Sequence, residues 1–407
     1  MRILIVSQKV GEGYGQERIV ASSTAALRQA GHLVEWVAES CEGEVTATAF
    51  HQIRDLFHLN SLTPKATAER ALESLLQVAG SHTKDSSTLI HFVDHLDGRL
   101  FTGASKRFPT LFTAHTAAPT CPASGRVVEG LPVCPQQSGW SCLVHHYRYH
   151  CLSAQRTPAH RAHAVFEFQK RHAALHSVTR ILSVSHFLEE QLLRDGYLRK
   201  QVAYVPNPVE ASEEKDGDPK IDPPAGPLLV TAARLVPMKG ISHLIEALKA
   251  IEDDEWTLWI VGEGPERERL GALTEKLELS SRIKFLGKKT RSETAAIFRA
   301  ATLVVQPNVG PEGFGLSVAE ASLLGRPVIA YDVPGLNEVI EHEKTGLLVK
   351  YGDKSALWMA ISRVLENPDW GRDLGAAGTM RIVANYSRET HLVETMKQYE
   401  LALKEKG

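Results

Sequence analysis

The amino-acid sequence predicts an α/β protein of two tandem doubly wound, Rossmann-like domains facing a cleft. Three observations lead there. Apolar strand-like bursts alternate with amphipathic helical patterns through the first half of the chain, the mark of a parallel sheet covered on both faces. The alternation restarts after Glu210–Pro224, a charged, Pro-rich stretch without periodicity that reads as a linker. At 407 residues the chain is also too long for one core, since single cores stop growing near roughly 250–300 residues.

The elements follow in order. Arg2–Ser7 reads as a strand, Gly11–Gly15 as a Gly-rich loop, Glu17–Ala30 as an amphipathic helix ended by Gly31, and Leu33–Val37 as the next strand, together a βαβ unit. Further strands are expected at Thr88–Val93, Thr110–Ala114, Arg180–Val184 and Gln201–Val205. The helix between the last two has Ser185 as N-cap and Gly196 as its stop. Beyond the linker, strands are expected at Leu228–Ala233, Trp256–Val261, Ile283–Leu286, Leu303–Pro307 and Pro327–Tyr331. The helices between them are Gly240–Ile251, Glu266–Leu277, Ser292–Ala300 and Ser317–Leu324. The expected domains are therefore 1–209 and 225–389, joined by 210–224, with a C-terminal helix over 390–407 packing back on the first. Ligands of such sheets bind at the carboxyl ends of the strands.

Composition narrows the function classes. A formal charge of −2 and an isoelectric point near 6.8 provide no global field to draw in nucleic acid. No run approaches the roughly 20 apolar residues of a spanning helix, and the start, Met-Arg-Ile-Leu-Ile-Val, reads as a strand and not as a signal peptide. Five cysteines, an odd number, suit a reducing compartment, so the expected location is the cytoplasm.

The second half holds the candidate site. The strand ending near Gln306 delivers the chain into Pro307–Gly315, a loop with three glycines and two prolines, and a helix follows. Glycines admit a ligand close to the backbone, and a helix N-terminus offers free N–H groups and partial positive charge, so the segment suits an anion such as a diphosphate. Arg234 and Lys239 lie at the carboxyl edge of the same sheet and would stabilise a departing diphosphate without a metal. Glu312 and Glu320, with seven residues between them, suit sugar hydroxyls, one from a transferred hexose and one from a ribose. Ser317-Val-Ala-Glu320 also has the form of a capping box, in which Glu320 only bonds back to the Ser317 N–H.

The segment Gly310–Gly325 with Glu312-x7-Glu320, followed by Arg326-Pro-Val-Ile-Ala330 and Gly335-Leu-Asn-Glu338, resembles the donor signature of glycosyltransferase family four, the glycosyl transferases group 1, which are retaining enzymes of GT-B fold. Arg234-x4-Lys239, Val261-Gly-Glu-Gly-Pro265, Phe285-Leu-Gly287 and Thr345-Gly-Leu-Leu348 match in order and spacing. The resemblance implies that Arg234 and Lys239 hold the diphosphate. Glu312 and the amides of Gly313, Phe314, Gly315 and Leu316 would grip sugar and phosphate at the Ser317 helix end, Glu320 would bind the ribose, and Gly262 would turn near the nucleotide. It implies a hexose donor more often linked to UDP than to GDP, a hydroxyl acceptor, no cofactor and no active-site metal.

In the first half, the resemblance brings Gly11 and Gly13 near the donor phosphate or acceptor; their spacing differs from the dinucleotide fingerprint, which excludes a nicotinamide site. His115 matches a His placed near the donor sugar in such enzymes, although a His at a strand end also serves as a polar cap. Cys121, Cys134, Cys142 and Cys151 stand among His145, His146 and His150. Cys142-x2-His145 has ligand-like spacing, but the other gaps do not, and ordinary thiols, a structural zinc and disulfides all remain open. Val144–Arg180 carries Arg148, Arg156, Arg161, Lys170, Arg171 and Arg180 against the single acid Glu167. Such a run is either a solvated helix face or a cationic face for peripheral contact with an anionic membrane.

The competing readings are a glycoside hydrolase, which needs two carboxyls about 5–9.5 Å apart but has no use for an anion loop; an epimerase or phosphorylase of the same architecture; and a catalytically inert nucleotide-sugar-binding relative.

Overall fold

The structure, a computed structural model, describes the chain except for residues 12–15, 43–49, 54–64, 82–86, 94–97, 129, 150, 152–156, 211–220, 252–255 and 407. Gly13, Arg156, His150 and most of the expected linker lie outside the described residues. The chain divides into two units: Met1–Glu129 with Cys134–Pro208 and Arg388–Gly407, and Val209–Ser387 with Gly130–Val133.

The first unit is built on a seven-stranded sheet in the order Phe50–Gln52, Leu33–Ala38, Arg2–Val6, Thr88–Phe92, Thr110–Ala114, Arg180–Ser183, Val202–Tyr204, with every described pairing parallel. The two-residue period of a strand assigns its faces. Leu4, Val6, Ile90, Phe92 and Phe112 enter one core with Leu75 and Phe101. Ile3, Ile5, Leu89 and Leu111 enter the other with Val20, Leu27, Tyr399 and Ala402. The last two come from the C-terminal helix Arg388–Lys406, whose Tyr399 hydroxyl lies 2.7 Å from His91 Nδ1 and whose Glu405 pairs with Arg180 at 2.5 Å.

The second unit carries a six-stranded parallel sheet in the order Ile283–Gly287, Thr257–Val261, Leu228–Ala232, Leu303–Gln306, Val328–Tyr331, Leu347–Val349. In each sheet the strand order reverses beside the unit's first strand, the switch point where ligands of doubly wound folds bind. Most expected elements appear within one or two residues. Ser185 caps His186–Arg194 by accepting from Leu188 N at 3.2 Å, and Gly196, at φ +99°, ends it. Two expectations need correction. Gly11, expected as the first residue of a loop, ends a short strand, Lys9–Gly11, paired with Ser40–Glu42; the rest of that expected loop lies outside the described residues. The helix after Gly315 begins at Leu316, with Gly315 itself as N-cap and no side-chain cap bond, so Ser317 and Glu320 do not form the capping box.

Candidate active site

At the switch point of the second sheet, the strands Leu228–Ala232 and Leu303–Gln306 each release a loop from their carboxyl ends. After Ala232 the chain passes exposed Arg234 and makes a tight turn, Pro237–Lys239, ending at Gly240 with φ +63°. A Cβ on Gly240 would stand 1.9 Å from the Pro307 carbonyl oxygen, so backbone packs on backbone where only glycine fits. Val309 N donates to Met238 O at 2.9 Å, and Leu235 N to Glu263 O at 2.9 Å. The second bond ties in the loop after Thr257–Val261, where Gly262 N bonds Gly287 O at 2.8 Å. The three loops are thus strapped together by main chain.

That strapping brings Lys239 against Glu312. The Lys239 ammonium pairs with Glu312 Oε1, and both side chains are about one-fifth exposed. Asn308 Nδ2 donates to the same oxygen at 2.5 Å. Asn308 is buried, and no sequence pattern pointed to it. The main chain of Glu312 is fixed as well: its N–H donates to Pro334 O at 2.9 Å, and a Cβ on Gly335, at φ +88°, would lie 2.3 Å from the Glu312 carbonyl oxygen. The resemblance had given the lysine to phosphate and the glutamate to sugar. In the structure the two hold each other.

Past Glu312, Phe314 turns into the core, 4% exposed, with its ring edge-on to Tyr386 at 5.1 Å between centroids. Gly315, at φ +89°, starts Leu316–Leu323, whose first N–H groups have no intrahelical acceptor and no side-chain cap. Ser317 and Glu320 are partly exposed on this helix. The helix is held by Thr379 Oγ1 donating to Ser322 O at 2.9 Å. Arg234, Lys239, Gly262, Glu312 and the Gly313–Ser317 backbone therefore share the carboxyl edge of one sheet.

The remaining candidates belong to the first unit. His115 follows the Thr110–Ala114 strand and borders a cavity of about 30 Å³ lined also by His91, Thr113, Asn207, His391 and Tyr399. Its Nε2 is buried with no hydrogen-bond partner among the described residues. Burial, with the charge of His391 adding, pulls its pKa down to about 3. Burial does the same to His91, also down to about 3, aided by His115 and His391.

Cys121, Cys134, Cys142 and Cys151 carry free thiols and line a second cavity together with His145 and Arg126. Burial, opposed in part by Arg126 and backbone N–H groups, raises the Cys121 and Cys142 thiols; burial with the neighbouring cysteines pushes Cys151 up to about 11. The run over Val144–Arg180, read from sequence as a solvated helix face or a cationic one, divides among its described residues. Arg180 is buried in its strand against Glu405, and Arg171 lies inward, its pKa lowered by burial. Arg148 and Lys170 stay exposed.

Residues 213–381 match the family model described as glycosyl transferases group 1. The lipopolysaccharide core biosynthesis glycosyltransferase LpsD of Rhizobium meliloti is 35% identical over 162 residues, 40% of this chain and 46% of that protein. The chain spans less than half the length of the curated relatives it matches. Among solved structures, the sucrose-phosphate synthase of Thermosynechococcus elongatus superposes with a TM-score of 0.70 at 25% identity, covering 98% of each chain. HepE of Anabaena in complex with UDP-glucose gives 0.70 at 16%, covering 98% of this chain and 99% of that one. Residues 213–381 thus belong to the glycosyl transferases group 1 family, within a chain of GT-B fold.

Proposed function

We propose that the chain is a retaining, metal-independent glycosyltransferase that moves a hexose from a nucleoside diphosphate sugar, UDP-linked in preference to GDP-linked, to a hydroxyl acceptor. The observation that carries this reading is the Lys239–Glu312 pair set in strapped glycine loops beside an uncapped helix N-terminus. A diphosphate entering there meets Arg234, Lys239 and the N–H groups of Leu316 and Ser317, which stabilise the charge of the leaving nucleoside diphosphate. Lys239 then exchanges its carboxylate partner for phosphate. Glu312, still held by Asn308, is released to accept sugar hydroxyls and orient the ring.

As the bond to the diphosphate breaks, the sugar gains oxocarbenium character. The acceptor hydroxyl attacks the same face, and its proton passes to a donor phosphate oxygen, so no side-chain nucleophile is used. Glu320 takes the ribose. The UDP preference rests on the resemblance to the family.

The test is a panel of nucleoside diphosphate sugars read by thermal stabilisation, since a ligand of the native state raises apparent stability. Transfer and the anomeric configuration of the product are then followed. Donor-dependent stabilisation, retained configuration and turnover that survives a chelator are expected. Binding without release of nucleoside diphosphate would mark an inert relative, and inverted product would remove the retaining assignment.

Contact with an anionic membrane belongs to the same proposal. It is supported by Trp140, 58% exposed, and Phe166, 43% exposed, with Lys170 Nζ 4.3 Å from the Phe166 ring centroid; aromatic and cationic groups together suit a lipid interface. Among the described residues no helix is long and apolar enough to cross a membrane. Vesicle binding that weakens with salt is expected, and none to anionic vesicles would remove this part alone.

A further inference from the structure

The connection from the Thr110–Ala114 strand to the helix Pro158–Leu175 is long and poor in core. Its regular elements among the described residues are a three-residue turn of helix at Ala118–Thr120 and the helix Cys142–Tyr149. Segments of this kind need a staple. One is visible: Arg126, 1% exposed, pairs with Asp195 at 2.7 Å and donates to Gln136 O at 2.8 Å, folding the segment around a guanidinium. Beside it Cys121, Cys134, Cys142 and Cys151, spread over 31 residues of sequence, converge on one cavity of about 20 Å³. That is room for a single water-sized guest.

We propose that these four cysteines form a structural zinc site that closes this segment. Thiolates are soft ligands, and four of them around a guest of atomic size select zinc in tetrahedral geometry. Backbone bonds already set the approach: Ser124 N donates to Cys121 O at 2.9 Å, Cys134 N to Arg126 O at 2.8 Å, and Cys142 N to Gly139 O at 3.0 Å. Among the described residues no three Cys, His, Asp or Glu side chains stand in a metal-holding arrangement as placed, so the thiols turn inward on binding to sulfur–metal distances of about 2.3 Å. Zn²⁺ displaces four S–H protons to solvent and leaves a site of charge −2, which the Arg126 guanidinium on the cavity wall supports as an outer partner. The proposal is independent of the transferase reading, because its residues lie in the first unit and the donor site lies in the second.

The test is metal analysis of the full chain purified without added chelator, with about one zinc per chain expected. Exchange for cobalt is expected to give the sulfur-to-cobalt charge-transfer bands of a tetrahedral thiolate site. Cys134→Ser and Cys142→Ser should each lower bound zinc at least about tenfold and lower the thermal midpoint, with stabilisation by UDP retained; Cys41→Ser should keep its zinc. Where a serine variant fails to fold, the cobalt spectrum of the unaltered chain still decides. Metal-free protein with four reactive thiols and an unchanged midpoint in added zinc would overturn the proposal. A mass two or four hydrogens low, indicating disulfides, or zinc retained in the serine variants, would do the same.

Discussion

Lys239 and Glu312, 73 residues apart in sequence, form an ion pair at the carboxyl edge of the second sheet, and Asn308 donates to the same glutamate oxygen. The pair is not a surface accident of two flexible side chains. Each partner sits on a loop fixed by glycine-only backbone contacts, at Gly240 and at Gly335.

Lys239→Ala and Glu312→Gln are each expected to lower turnover by about 10²–10³, the cost of removing one group that stabilises charge in a transition state. Because the two groups contact each other, the double variant should lose less than the product of the single losses. Steady-state release of nucleoside diphosphate is the measurement, and normal release from both single variants would end the assignment.

Gly335→Ala separates positioning from mere stability. The new Cβ meets the Glu312 carbonyl oxygen at 2.3 Å, whereas at Gly31, φ +86°, a Cβ meets nothing within 4 Å. Gly31→Ala should cost roughly 1–2 kcal/mol of backbone strain and leave turnover intact. Gly335→Ala should cost at least that and lose turnover as well. Denaturant unfolding beside kinetics distinguishes them; equal activity in the two variants would mean that the Glu312 loop tolerates displacement.

Asp195→Ala strands Arg126 as a buried cation. Both side chains of the pair are at most 1% exposed, and breaking such a pair from one side costs about 3–5 kcal/mol. Urea unfolding should register that loss, and limited proteolysis should cut the variant between residues 121 and 142 before the unaltered chain.

Acid stability should carry a histidine signature. Burial holds His115 and His91 down to about 3 in the folded chain, against about 6.5 when unfolded. Between those values the unfolded chain binds protons that the folded chain refuses, so stability is intact above about pH 6.5 and falls as pH drops toward 3. Each ring contributes about 1.4 kcal/mol per pH unit. Urea midpoints measured at stepped pH should flatten by one such share in His115→Gln; an unchanged slope would mean that His115 is protonated in the folded state.

The sequence carried most of the sheet and the frame of the site, for physical reasons. Parallel strands such as Val328–Tyr331 are buried on both faces and read as apolar runs, and Pro307–Gly315 announces itself by glycines. The three-residue strands Phe50–Gln52 and Leu347–Val349 are too short to show a period. Arg180 looked like one cation in a basic run because its partner Glu405 is 225 residues away. Asn308 escaped notice because a single amide in a loop has no pattern, and its meaning depends on Glu312 standing within reach. The misplaced capping box has a similar cause: Gly315 in left-handed backbone starts the helix one residue early, and nothing in Ser-Val-Ala-Glu reveals that.

The C-terminal helix has a consequence for the order in which the protein is made. The chain leaves the first unit at Pro208 and returns to it at Arg388, and Val209 N donates to Tyr386 O at 2.8 Å, so exit and return run side by side. The second unit is in effect an insert whose whole core emerges from the ribosome before the first unit can finish. Until Tyr399 and Ala402 arrive, the sheet face holding Ile3, Ile5 and Leu111 is covered by Val20 and Leu27 but lacks its C-terminal partners, and apolar surface left exposed in this way is what chaperones bind. The half synthesised first is therefore the half completed last.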